Sequence, residues 1–233
     1  KMGNMMGGAG GAQGPPIPKT QLVRILSKAR KLILRRMLEA KRANIEERIQ
    51  FYKNDADKYK ECIMKFAMGQ PAMIQGALVE VCQEQNVNVA SIGSSIQQHM
   101  FDPEVQNMIS LMQTITGDMC EGQPFPEEFD KERFKEILRI QTAEVAKYTI
   151  TDQISSMVAQ TASADEIYQL YGLNEIQLGA LAIKYESDPD TELRELKERW
   201  NEVTRMDLIL NQAQRQVPQQ HQHGPGCQHN HSH

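Results

Sequence analysis

Between residues 21 and 53 the apolar positions keep to one side of a helix. Leu22, Ile25, Leu26, Ala29, Ile33 and Met37 recur every three or four residues, the period of an amphipathic α-helix. Thr20 stands at the start, where a hydroxyl can cap free backbone N–H groups. Asn54, Asp55 and Asp57 predict a break and a new cap, with the next helix running to about Met68. Gly69 suits its C-terminal stop, and Gln70-Pro71 predicts a further helix with proline in the first turn.

The second half continues the pattern. Residues 130–157 read as one helix, with Phe134, Ile137, Leu138, Val145, Tyr148 and Ile154 toward a core. Helices over 165–171, 175–186 and 189–214 follow, the last burying Leu193, Leu196, Trp200, Val203, Leu208 and Leu210. No short run joins β-branched and aromatic enrichment to turn residues on both sides, so no sheet is predicted. The fold class is all-α, an irregular helical array.

Two related three-helix units are one way to arrange it. At a fixed offset of 86 residues, 81–112 align with 167–198. The alignment pairs Gln83 with Gln169, Asn88 with Asn174, Gly93 with Gly179, Asp102 with Asp188 and Pro103 with Pro189. Each copy reads as a helix, an Asn turn, a helix with one internal glycine, then Asp-Pro opening a third helix. The Asn and Asp side chains suit caps, and the glycines suit close approach of neighbouring backbones. Caps and glycines also recur in unrelated helical hairpins.

The domain plan follows. Residues 1–19 are a flexible Gly/Pro arm and 20–116 a helical domain; 117–129 form a Gly- and Pro-rich linker. Residues 130–216 are a second helical domain, and 217–233 a disordered His/Gln-rich tail.

Charge changes this picture most. Residues 19–53 hold eleven Lys/Arg against three Glu, a local balance of +8 in a chain of −4. Lys1 aside, the rest therefore carries −13. Arg24, Lys28, Lys31 and Arg35 fall at i, i+4, i+7 and i+11, and no acid precedes Glu39. With Arg36 and Arg42 they are the candidate partner-binding residues. A basic row beside an apolar stripe suits an acidic protein surface, and also RNA phosphate or an anionic membrane. No aromatic residue for base stacking interleaves it, so an acidic protein partner is the first expectation. A solvated helix face would read the same way.

His221, His223, Cys227, His229, His231 and His233 crowd the tail with imidazole and thiolate ligands, the chemistry of Zn or another transition metal. Gly224-Pro225-Gly226 offers a turn but no scaffold to fix their geometry. No cofactor is expected elsewhere. Asp188-Pro189-Asp190 lacks the glycine and terminal glutamate of a calcium loop. His99 stands alone outside the tail, and no phosphate loop, dinucleotide fingerprint, HExxH or GxSxG occurs. A nucleophile–base pair could still be assembled in three dimensions, for instance from Cys82 or Cys120 with His99. The expectation is a protein that is not an enzyme.

Four widely spaced cysteines without CxxC read as reduced thiols, with Cys62 and Cys82 as small core residues. No apolar run is long enough to span a bilayer, and nothing marks a secretory signal. The expected setting is an intracellular, reducing compartment, cytoplasmic rather than mitochondrial, although an acid-poor basic helix also resembles a transit segment.

Residues 95–109, Ser-Ile-Gln-Gln-His-Met-Phe-Asp-Pro-Glu-Val-Gln-Asn-Met-Ile, resemble the Asp-Pro-rich helical repeats of chaperone-organising co-chaperones. The resemblance lacks that family's second Asp-Pro in the expected place. It implies a Met-lined groove for a client helix, here around residues 100–119. The leading expectation remains an accessory or scaffold subunit of a larger assembly, docked through residues 21–42. A helical client binder and a metal-handling tail are the alternatives.

Overall fold

Helix α1 (Lys19–Arg48) buries its apolar stripe as the spacing predicts: Leu22, Ile25, Leu26, Ala29, Ile33 and Met37 are each 2% exposed or less. Each of the Leu, Ile and Met side chains removed from water contributes about 1.5–3 kcal/mol. The computed structural model describes residues 14–204, the side chain of Thr116 excepted. Among them are eight helices of nine residues or more, one single-turn helix and no strand. Thr20 does not cap α1. The helix begins one residue earlier, with the carbonyl of Pro18 accepting from the backbone N–H groups of Gln21 and Leu22, both at 3.0 Å.

α1 ends at Arg48 rather than near Lys53, and Lys53 takes a left-handed φ of 63° in the turn that follows. Asp55 caps α2 (Ala56–Glu84) as expected, accepting from the Lys58 N–H. Contacts Asn44–Cys62 and Arg36–Glu80 run in opposite senses along the two helices, so α1 and α2 form an antiparallel hairpin. Here one sequence expectation fails. α2 continues through Gly69 and Pro71, with no break. Packing against α1 along its length overrides the local cost of a proline whose ring faces solvent.

α3 (Ala90–Gln98), α4 (Pro103–Gln113) and the single turn α5 (Ile115–Asp118) close over α1 and complete a first core. Met112 and Met119 are buried in it and Met108 packs on it. Of the four methionines expected to line a client groove, these three belong to the core, and Met100 is 48% exposed. Residues 14–18 lie against α3: Ser94 Oγ donates to the Gly14 carbonyl at 2.7 Å, and the Ile17 N–H donates to Ser95 Oγ at 2.8 Å. Of the arm expected to be flexible over 1–19, residues 14–18 thus pack on α3 and Lys19 opens α1, while residues 1–13 and the tail 217–233 lie outside the described residues.

The second core is built by α6 (Lys131–Val145), α7 (Gln153–Tyr171), α8 (Glu175–Lys184) and α9 (Thr191–Thr204). The break falls at 146–152, inside the stretch expected to be one helix, because Asp152 and Ser155 form a reciprocal cap there. Downstream, the Ser- and Ala-rich stretch stays helical through Tyr171, and small side chains let it be buried from Ala159 to Asp165 with little interruption. Ile154, expected in the core, is 40% exposed.

The two aligned copies share their element order but differ in detail. Asp102 caps α4, with Pro103 first, whereas Asp190 caps α9 two residues later than the alignment predicts. Asn174 makes a full capping box with Gln177; Asn88 accepts only from the Ala90 N–H. Nothing stands within 4 Å of a Cβ placed on Gly93, while one on Gly179 would press on the side chain of Cys120.

Candidate functional site

The eleven Lys/Arg of residues 19–53 separate by helix angle. Six have carboxylate partners. Lys19 meets Asp102 at 3.1 Å and Arg30 meets Asp118 at 2.6 Å, both toward α4 and α5. Arg36 reaches Glu80 of α2, and Lys41 reaches Glu175 of α8 at 2.7 Å. Arg48 pairs with Asp165 and Glu175, and Lys53 with Glu166. Each of these points toward a neighbouring helix.

Arg24, Lys28, Lys31, Arg35 and Arg42 do not. They share one solvent-facing arc of α1, all five are exposed, and none has an acidic partner among the described residues. Arg42 makes only a 3.4 Å hydrogen bond to Gln123. Of the six candidate partner-binding residues, Arg36 is the one turned away from the ridge, into its pair with Glu80. The ridge is rigid because Val23, Leu32, Leu34 and Leu38 beside it pack on the first core.

At the C-terminal end of the same helix lies a cluster that the sequence analysis missed. Arg48 is fully buried, and its guanidinium donates to both oxygens of Asp165, to Glu175 and to Asn44 Oδ1. Tyr59 donates its hydroxyl to Asp165 Oδ2 at 2.7 Å. Burial, then the Asp165 charge, pushes the Tyr59 phenol upward. Burial also pushes the Glu175 carboxyl up, but Lys41 and Arg48 outweigh it and hold the group below the usual carboxylate range. The signal was present: after Met37 the buried stripe continues as Lys41, Asn44 and Arg48. Polar residues at core positions are the informative exception.

This cluster borders a groove of about 800 Å³ between α1–α2 and α6–α9. Phe66, Leu138, Met157, Ile183 and Trp200 give it apolar lining; Gln70, Gln141 and Gln160 give it amides. Every buried side-chain N and O atom of the described residues has a hydrogen-bond partner, so no orphaned polar group points into it.

The remaining candidates separate. His99 Nε2 lies 3.3 Å from the Ile17 carbonyl, and Cys82 is buried in the first core. Cys120 lies under α8 against Gly179, and burial pushes its thiol upward. The tail ligands His221, His223, Cys227, His229, His231 and His233 lie outside the described residues. Among those described, no three His, Cys, Asp or Glu side chains converge as a metal site, and no helix is long and apolar enough to cross a membrane.

Compared with protein-family models, curated proteins and solved structures, the chain matches none. The α1 ridge and the groove are thus what a functional reading has to rest on.

Proposed function

We propose that this protein is a non-catalytic scaffold subunit that docks on an acidic surface of a neighbouring protein through the ridge of α1. One observation carries the reading. A single helix pairs five of its ten cations with carboxylates of other elements and leaves five aligned on its outer arc without an acidic partner among the described residues. Like charges held in a row repel one another, and an anionic partner relieves that cost while steering encounter. The remainder of the chain is strongly acidic, which favours a defined orientation on such a partner.

The test is crosslinking and co-purification of the full chain from native cells. A variant with Arg24, Lys28, Lys31 and Arg35 all changed to Glu should lose its partner proteins while keeping its helical circular dichroism. Rising salt should release them from the wild type. Unchanged co-purification by the variant would overturn the reading.

The groove favours a second reading, an amphipathic helix held between the two helical layers. Capture by that route would persist at high salt and be competed by apolar peptides.

A further inference from the structure

The ridge cations line up along a single exposed arc of α1. Arg24, Lys28, Lys31, Arg35 and Arg42 stand four, three, four and seven residues apart. These intervals follow the 3.6-residue period of the α-helix itself, so the cations form one straight row along α1, against which a second helix can lie lengthwise. The position that would split the last interval is Leu38, which packs on the first core. At 1.5 Å per residue the row is about 27 Å long.

The row is also narrow. On one side runs Glu80, 44% exposed beyond Arg36. On the other stand Asp118 beyond Arg30, and Asp102 and Glu104 beyond Lys19, with Glu104 57% exposed. Glu39 and Glu46 are exposed toward the C-terminal end. A broad anionic surface would press its phosphates against these flanking carboxylates. A single helix, about 10–12 Å across, would cover the cations and little else. Membrane entry lacks its usual anchor as well, since Val23, Leu32 and Leu34 are committed to the core.

We propose that the ridge receives one acidic α-helix of a partner protein, laid lengthwise along α1, with Asp or Glu repeating every three and four residues opposite the cations. This rests on the docking reading above and adds the partner's shape and register.

The experiment uses the full chain and two synthetic helical peptides of equal length, charge and helicity. In one, Glu residues follow a 3–4 repeat along one face; in the other the same residues wind around the helix. Fluorescence anisotropy at low and at physiological salt should show the faced peptide binding about tenfold or more tighter. The Arg24→Glu/Lys28→Glu/Lys31→Glu/Arg35→Glu variant should lose that binding, and an off-ridge Lys65→Glu variant should keep it. Equal binding of the two peptides would overturn the helix proposal while leaving acidic docking intact. Preference for duplex DNA, single-stranded RNA or phosphatidylserine vesicles over both peptides would overturn the helix and the acidic-protein reading together, as would binding of nothing. Dimerisation of the chain that the ridge variant abolishes would put a second copy in the partner's place, and so overturn the proposal.

Discussion

Arg48 of α1 and Asp165 of α7 stand 117 residues apart in sequence and meet as a two-pronged ion pair, with Nε 2.9 Å from Oδ2 and Nη2 2.8 Å from Oδ1. Both side chains are 2% exposed or less. The pair joins the first hairpin to the second group of helices, and Tyr59, Asn44 and Glu175 satisfy its remaining valences. Burying a guanidinium is tolerated only with such complete pairing.

Removing one partner should therefore cost much more than removing both. Arg48→Met leaves Asp165 buried beside a methyl group, and about 3–5 kcal/mol of stability should disappear. Arg48→Lys should fall between, because an ammonium cannot reproduce the two-pronged fork. The double variant Arg48→Met/Asp165→Leu should be less damaged than the two single losses added together. Urea midpoints read all three, and a loss below about 1 kcal/mol for Arg48→Met would deny the pair its joining role.

Acid should loosen the fold through carboxylates held below their usual range. Glu175 is held there by Lys41 and Arg48, Glu166 first by Lys53, and Glu192 first by Lys135. For a depressed carboxyl the stabilising contribution is fully present above the unfolded value, about 4.3, and is lost as pH falls through the folded one. Stability should hold from pH 7 to about 5 and decline below about 4.5. The gap between wild type and Glu175→Gln should close over that same fall, since a protonated Glu175 resembles the amide. A gap that widens toward low pH would contradict the assignment.

Gly179 and Cys120 make a tight contact between α8 and the segment after α5. A Cβ at position 179 would stand 2.9 Å from the Cys120 Cβ and closer still to its sulfur. Gly179→Ala should destabilise by about 1–3 kcal/mol despite alanine's better helix propensity. Cys120→Ala should recover part of that loss by removing the sulfur. Thermal unfolding of the two single variants and the double tests this, and a neutral Gly179→Ala would show that the segment yields.

The middle of α2 carries removable local cost. Pro71 is exposed within the helix, and nothing stands within 4 Å of a Cβ placed on Gly69 or Gly76. Pro71→Ala should raise stability by about 1–3 kcal/mol, and Gly69→Ala by about 0.5–1 kcal/mol. A lower denaturation midpoint for Pro71→Ala would mean that α1 packs against a bend the proline supplies.

The helical character of this chain, the buried stripe of α1 and the caps at Asp55, Asp102 and Asn174 were all readable in the sequence. Each depends on residues within a turn or two of one another, where periodicity and side-chain capping act. The row Arg24, Lys28, Lys31 and Arg35 was readable for the same reason. Which of the eleven cations would be neutralised was not, because Asp102, Asp118, Glu80, Glu166 and Glu175 arrive from helices far along the chain. Nor was the continuity of α2 through Pro71, or the burial of Arg48, where packing between distant elements outweighs local preference. Tertiary contact thus turned a uniformly basic helix into two faces: one closed by internal ion pairs, and one ridge of five cations turned to solvent.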